Sequence, residues 1–243
     1  MKENRRIRCW ASCLGDCSTS SREHVISKAV LLAGGKGPLV AEGLSRIPDG
    51  QYDVGALVAR VLCAKHNSAL TDLDAHIGKL SSYLHELHAK PATEPFVLDG
   101  PKLERWACKT VVSFLVAGWS GGSRRGVDES LVRYVFGLAP PPGGVALFSV
   151  HSAPIDAKSS IEIHVQVLWS GRAEGDYGEA AGAFLSINGL RFFLTLTESG
   201  ASEIRAGGAR LQLPETSFRE RPIGVSVSSD SGPLGTVLLN WAR

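Results

Sequence analysis

Five cysteines and their spacing constrain this chain more than any other feature of its sequence. Three of them, Cys9, Cys13 and Cys17, lie close together, and a fourth begins the C-x-x-H pair Cys63-Ala64-Lys65-His66. Paired thiolates and imidazoles let one turn supply two corners of a tetrahedron while a distant segment supplies the others, which is the ligand chemistry of Zn²⁺. An odd number of cysteines without an apolar signal core disfavours a disulfide framework. We therefore expect a structural zinc site.

The candidate ligands outnumber the corners of a tetrahedral site. Cys9, Cys13, Cys17, Cys63 and His66 are all candidates, and a structural zinc ion takes four ligands. One of the first three cysteines must be left out. The sequence favours Cys17 as a ligand and leaves the choice between the other two open.

A second pattern joins the cysteines to acid and base chemistry. Glu23-His24-Val25-Ile26 follows Cys17 closely, and the C-x-x-H pair runs directly into Asn67. This arrangement resembles the HNH endonucleases of the ββα-metal class, in which a zinc knuckle often staples the motif. The resemblance implies an α+β fold in which a β-hairpin carries Glu23 and His24 and the following helix carries Asn67.

The residue types suit phosphodiester hydrolysis. An imidazole titrates near neutrality, so His24 is the expected general base. The resemblance implies that Glu23 and Asn67 hold a catalytic Mg²⁺ or Mn²⁺ ion, for which oxygen ligands are suited. A helix that begins near Asn67 would bring Asp74 to the same face, which makes Asp74 a further candidate metal ligand.

The family's middle Asn has no counterpart between Val54 and Leu62. That Asn usually orients the base, so we expect either slower catalysis or another group, such as a backbone carbonyl, to hold His24. A second departure is Ser27, which stands where relatives often have Pro. The missing Asn also motivates a different hypothesis, a catalytically inactive zinc-stapled module that binds nucleic acid or a protein partner.

Periodicity predicts the organisation of the rest of the chain. Helices are expected over 67–89, 103–117 and 129–136, and an antiparallel β-rich region follows, in which Asn188-Gly189 marks a hairpin. We predict an HNH-like nuclease module with a zinc knuckle over 1–90, a helical connector over 91–142 and an antiparallel β-rich C-terminal domain over 143–243.

Charge and hydropathy limit the partners. The net charge of +2 is small, but residues 1–36 carry an excess of Lys and Arg, as expected of an arm that contacts DNA phosphates. No apolar stretch is long enough to span a membrane, and we expect a cytoplasmic protein. By analogy with the family, we expect a DNA nuclease in bacterial defence, acting alone, as a homodimer or with an activating protein partner.

Overall fold

The computed structural model describes residues 9–33, 39–42, 44–120, 127–150, 163–170, 179–196, 204–206, 209–211, 224–229 and 232–241. Within these residues the chain is a mixed α+β protein whose sheets are largely antiparallel, which confirms the expected fold class at that level. Buried apolar side chains from the early helices and the late strands form one contiguous core. None of the described helices combines the length and apolarity needed to cross a membrane.

The first part of the chain contains a strand pair followed by helices. Strand β1 (Glu23–His24) pairs antiparallel with β4 (Val58–Ala59), so that Glu23 lies opposite Ala59 and His24 opposite Val58. The elements between and after these strands are α1 (Lys28–Leu32), β2 (Leu39–Ala41), β3 (Gly50–Tyr52), α2 (Ala64–Ala69) and α3 (Thr71–Ala89). Strands β2 and β3 pair antiparallel with each other.

The helix expected over 67–89 is divided and begins earlier. Cys63 caps α2, because its thiol sulfur accepts a hydrogen bond from the backbone N–H of His66 at 3.4 Å. Leu70 then interrupts the helical backbone before α3. The periodic apolar pattern predicted the long helix, but a thiol at a cap position gives no such periodic signal.

Helix α4 (Gly100–Ala117) runs through the interior of the protein. Its start is capped by Asp99, whose carboxylate accepts from the backbone N–H of Lys102 at 2.8 Å, and it ends at Gly118 in the left-handed conformation. The sequence predicts one apolar side for this helix, whereas the structure buries residues on nearly every side of it, including Glu104 and Lys109. Helix α5 (Glu129–Val135) follows.

The β-rich region agrees with the prediction. Its strands are β6 (Val145–Val150), β7 (Ile163–Ser170), β8 (Ala180–Ile187), β9 (Leu190–Leu196), β10 (Ile204–Ala206), β11 (Ala209–Leu211), β12 (Gly224–Ser229) and β13 (Gly232–Asn240). Asn188 and Gly189 both have positive φ, as the tight turn between β8 and β9 requires.

One strand lies where the sequence indicates only a boundary. Strand β5 (Phe96–Asp99) lies within the proline-containing stretch 91–101 and pairs in parallel with β13, with Leu98 opposite Leu239. The three-part division of the chain stays a prediction. Hydrogen bonds between β5 and β13 join its second and third parts.

Candidate functional site

Four predicted metal ligands come together near the start of the described chain. The ligand atoms of Cys9, Cys17, Cys63 and His66 all lie within 4.8 Å of one another. The Nδ1 atom of His66 is 3.3 Å from the Cys9 sulfur, 3.2 Å from the Cys63 sulfur and 3.8 Å from the Cys17 sulfur. Three thiols and one imidazole around a common centre could hold a metal ion, and this donor set is that of a structural zinc site.

Backbone contacts bring these ligands together from distant parts of the sequence. The N–H of Trp10 donates to the carbonyl of Val61 at 2.9 Å, which fixes the first cysteine beside the C-x-x-H pair. A 3₁₀ turn (Ser12–Leu14) then reverses the chain through Gly15 and Asp16, both with positive φ, and returns Cys17 to the cluster. The close spacing of Cys9 and Cys17 in the sequence therefore corresponds to one tight turn in the structure.

Cys13 is the cysteine left out of the cluster. It lies on the 3₁₀ turn and is exposed, whereas Cys9 and Cys63 are buried. This resolves the choice that the sequence leaves open between Cys9 and Cys13. Cys108 is fully buried in α4, as expected of a small apolar side chain, and burial raises its pKa well above the ordinary value.

The thiols of the cluster differ in acidity. Burial raises the pKa of Cys9 to about 12. Burial also acts on Cys63, but hydrogen bonds from the backbone of His66 and from Ser18 outweigh it and lower the pKa of Cys63 to about 7. Coordination to a dication deprotonates a thiol outright. Zinc would therefore compensate the cost of ionising Cys9 beside the other thiols.

Aromatic rings cover one side of the Cys/His cluster. The ring of Phe136, which follows α5, meets the ring of His66 edge-on at a centroid distance of 5.6 Å and the ring of Trp10 at 5.7 Å. Sequence reasoning did not assign Phe136 any role at this cluster. These two ring contacts pack the end of α5 against the Cys/His cluster.

His24 lies on β1, opposite Val58 of β4, and is partly buried. One ring nitrogen, Nε2, is buried without a hydrogen-bond partner among the described residues. Burial lowers the pKa of His24 from its ordinary value, as do Lys28 and Lys109. Burial and the two lysines therefore favour the neutral imidazole, and a backbone group that replaces the family's Asn stays a prediction.

Glu23 and Asp74 come together, but around a lysine. The ammonium nitrogen of Lys109 lies 2.7 Å from Oε1 of Glu23 and 2.8 and 2.9 Å from the two carboxylate oxygens of Asp74. Burial raises the pKa of Glu23, and Lys109 offsets part of this rise. Burial disfavours the charged form of Lys109, but Asp74 and Glu23 outweigh it, so that the pKa of Lys109 is raised.

The Ser27 hydroxyl also holds the Glu23, Asp74 and Lys109 group in place through hydrogen bonds. This hydroxyl donates to Asp74 and accepts a hydrogen bond from the indole nitrogen of Trp106 at 2.7 Å. The residue that replaces the family's Pro therefore connects the start of α1 to α3 and α4. A Pro at this position could make neither hydrogen bond.

Asn67 does not join the acidic pair. It lies on α2, partly buried, and within the described part of the chain its amide makes no hydrogen bond with Glu23, His24 or Asp74. The structure thus places the predicted site residues in two groups and leaves Asn67 and Cys13 outside both. The groups are the Cys/His cluster and the pair Glu23 and Asp74, next to which His24 lies.

Sequence reasoning missed Lys109 as a site residue. The sequence did contain a signal for this lysine. Lys109 comes three residues after the apolar Trp106 and so lies on the same helix face, where a charged side chain is unexpected. Arg60, which is exposed directly after β4, is a further residue without a predicted role. Arg22 and Lys28, from the basic stretch, are exposed on either side of β1, whereas residues 1–8 of the predicted arm lie outside the described residues.

Comparisons of the chain with protein-family models, with curated proteins and with solved structures gave no match. The relationship to HNH endonucleases therefore stays a prediction, and the argument for function depends on the geometry of the two groups.

Proposed function

We propose that this protein is an HNH-type endonuclease that hydrolyses phosphodiester bonds in DNA, with His24 as the general base. The observation that carries the proposal is the position of His24, which directly follows Glu23 on β1 and whose Nε2 is buried without a protein partner among the described residues. A buried polar atom without a partner costs free energy, and a catalytic role is one explanation for keeping it. A base that is neutral at physiological pH can accept the proton of an attacking water.

The surroundings of His24 support binding of a polyanion. Arg22 precedes β1, Lys28 begins α1 and Arg60 follows β4, and all three side chains are exposed. Lys and Arg side chains contact phosphates without reading the base sequence. We therefore expect DNA binding to weaken steeply with salt and to depend little on sequence.

The proposed structural cofactor is a zinc ion held by the Cys/His cluster. Its function would be to fix the turn before β1 against the start of α2, so that the strand pair and the helix keep their relative positions. A structural zinc site contributes folding free energy directly. We do not expect zinc to take part in the reaction.

The catalytic Mg²⁺ or Mn²⁺ ion implied by the resemblance fits these residues poorly. The carboxylate expected to bind it, that of Glu23, is already in contact with the ammonium group of Lys109, as is Asp74. No step of the proposed reaction is therefore assigned to that ion. A requirement for a divalent cation is measured directly in the assay below.

The test is cleavage of supercoiled plasmid by zinc-loaded wild type, His24→Ala and His164→Ala, each with Mg²⁺, Mn²⁺ or EDTA. His164 is an exposed histidine on β7 and serves as the matched control. We expect wild type and His164→Ala to cut and folded His24→Ala to lose activity by roughly a hundredfold or more, the contribution of a general base. Equal activity of all three proteins would contradict the proposal.

Two observations favour a second candidate, a catalytically inactive module that binds nucleic acid or a protein. The Nε2 atom of His24 is shielded from solvent, and an internal lysine occupies the acidic pair. Folded, zinc-loaded wild type that binds DNA in a salt-dependent manner but does not cut it under any of the three conditions would support this candidate instead.

A further inference from the structure

Lys109 satisfies its whole hydrogen-bonding capacity within the acidic pair. An ammonium group has three N–H donors, and three carboxylate oxygens lie within reach, one from Glu23 at 2.7 Å and two from Asp74 at 2.8 and 2.9 Å. The Lys109 side chain has no exposed surface, and that of Glu23 is 3% exposed. The positive charge therefore belongs to the interior and is not available to solvent.

Neighbouring elements fix this ammonium group in place. Glu23 lies on β1 and Asp74 on α3, while Lys109 projects from α4. Asp74 is further held by Ser27, and Ser27 by Trp106, one turn before Lys109 on the same helix. Both carboxylates and their cation are thus positioned by packed secondary structure.

The same carboxylates cannot serve a small dication in this arrangement. Mg²⁺ requires oxygen ligands at 2.0–2.1 Å in near-octahedral geometry, and an ammonium in contact with both carboxylates would repel it. The Cys/His cluster is the group of potential metal ligands found among the described residues, and neither Glu23 nor Asp74 belongs to it.

We propose that Lys109 is the resident cation of the Glu23 and Asp74 pair, in the place where the family resemblance expects a divalent metal ion. The pair then binds neither Mg²⁺ nor Mn²⁺, and its function is to orient β1, which carries His24. This inference concerns the occupant of the site and holds whether or not the protein cuts DNA.

The first test measures Mn²⁺ binding to the full-length, zinc-loaded protein by electron paramagnetic resonance of the free ion. We expect wild type, Glu23→Gln and Asp74→Asn to bind the same amount of Mn²⁺ with the same affinity. Wild type that binds one Mn²⁺ ion, with an affinity that falls by roughly tenfold to a hundredfold in both variants, would overturn the proposal. Circular dichroism of each variant shows whether it is folded.

The second test observes the lysine signal and its response to Mg²⁺ in the wild-type protein, and two variants serve only to assign the signal. A buried, fully hydrogen-bonded ammonium exchanges its protons slowly, so we expect a lysine ¹H–¹⁵N side-chain signal that is missing in Lys109→Met and present in Lys102→Met. Lys102 is the matched control because it pairs with exposed Asp72 at the surface. The signal should be unchanged by millimolar Mg²⁺. A saturable loss or shift on addition of Mg²⁺, or the absence of any such signal, would contradict the proposal.

Neither measurement involves DNA. A failure to observe cleavage therefore leaves this result intact, and binding of Mn²⁺ by the acidic pair would refute the inference without refuting the nuclease.

Discussion

The Cys/His cluster and the Glu23, Asp74 and Lys109 cluster differ in the source of their positive charge. Both bring the start of the chain to later helices. The first consists of three thiols and one imidazole and contains no cation of its own, whereas the second contains a buried ammonium group between two carboxylates. The comparison teaches that carboxylates near a histidine do not by themselves indicate a metal ion, because a buried lysine can supply the positive charge.

The largest expected effect is loss of the external cation. We expect Cys63→Ser, or prolonged treatment of wild type with a strong chelator, to unfold the region around the Cys/His cluster, because zinc binding supplies on the order of 10 kcal/mol to small zinc modules. Thermal unfolding followed by circular dichroism, with zinc content from elemental analysis, measures both effects. The control is Cys13→Ser, which should keep its zinc and its melting temperature since Cys13 lies outside the cluster.

Removal of the internal cation should have the next largest effect. Lys109→Met leaves two carboxylates without their cation, and we expect the free energy of unfolding to fall by about 3–5 kcal/mol, the cost of breaking a buried pair. Urea unfolding measures the change. Lys102→Met, which removes a solvent-exposed ion pair, should change little. A stable Lys109→Met protein would show that the carboxylates become protonated at little cost.

A smaller effect is expected where α1 meets α3. A methyl group at Gly78 would lie 2.6 Å from the Cβ of Ala29, so Gly78→Ala should force apart α1, which Ser27 directly precedes, and α3, which carries Asp74. We expect a loss of about 1–3 kcal/mol from overpacking, with unchanged zinc content. At Gly55 a methyl group meets nothing within 4 Å, and Gly55→Ala is therefore the control. Equal stability of the two variants would show that α1 adjusts freely.

The smallest effect concerns pH. Burial, Lys28 and Lys109 lower the pKa of His24 from 6.5. A base with a lowered pKa stays neutral to more acidic pH, so the midpoint of the acidic limb of kcat/KM for DNA cleavage should lie below pH 6.5. A midpoint at or above pH 6.5 would contradict the lowered pKa of His24.

Several parts of the fold could be predicted because their signals are local. Asn188-Gly189 encodes a turn that needs positive φ, and the apolar periodicity that predicted α3 and α4 reflects the 3.6-residue repeat. Strand β5 could not be predicted, because four residues between prolines acquire strand character only by pairing with β13, far along the chain.

The candidate site residues likewise divide into those that the sequence predicts and those that only the structure shows. The sequence by itself determined a set of five candidate metal ligands, since their chemistry and close spacing already restrict what they can do. Only the tertiary structure decided that Cys13 is excluded and that Lys109 lies between Glu23 and Asp74. The physical reason is that ligand types are local properties of a chain, whereas the charge that compensates a buried carboxylate depends on which helix packs against it.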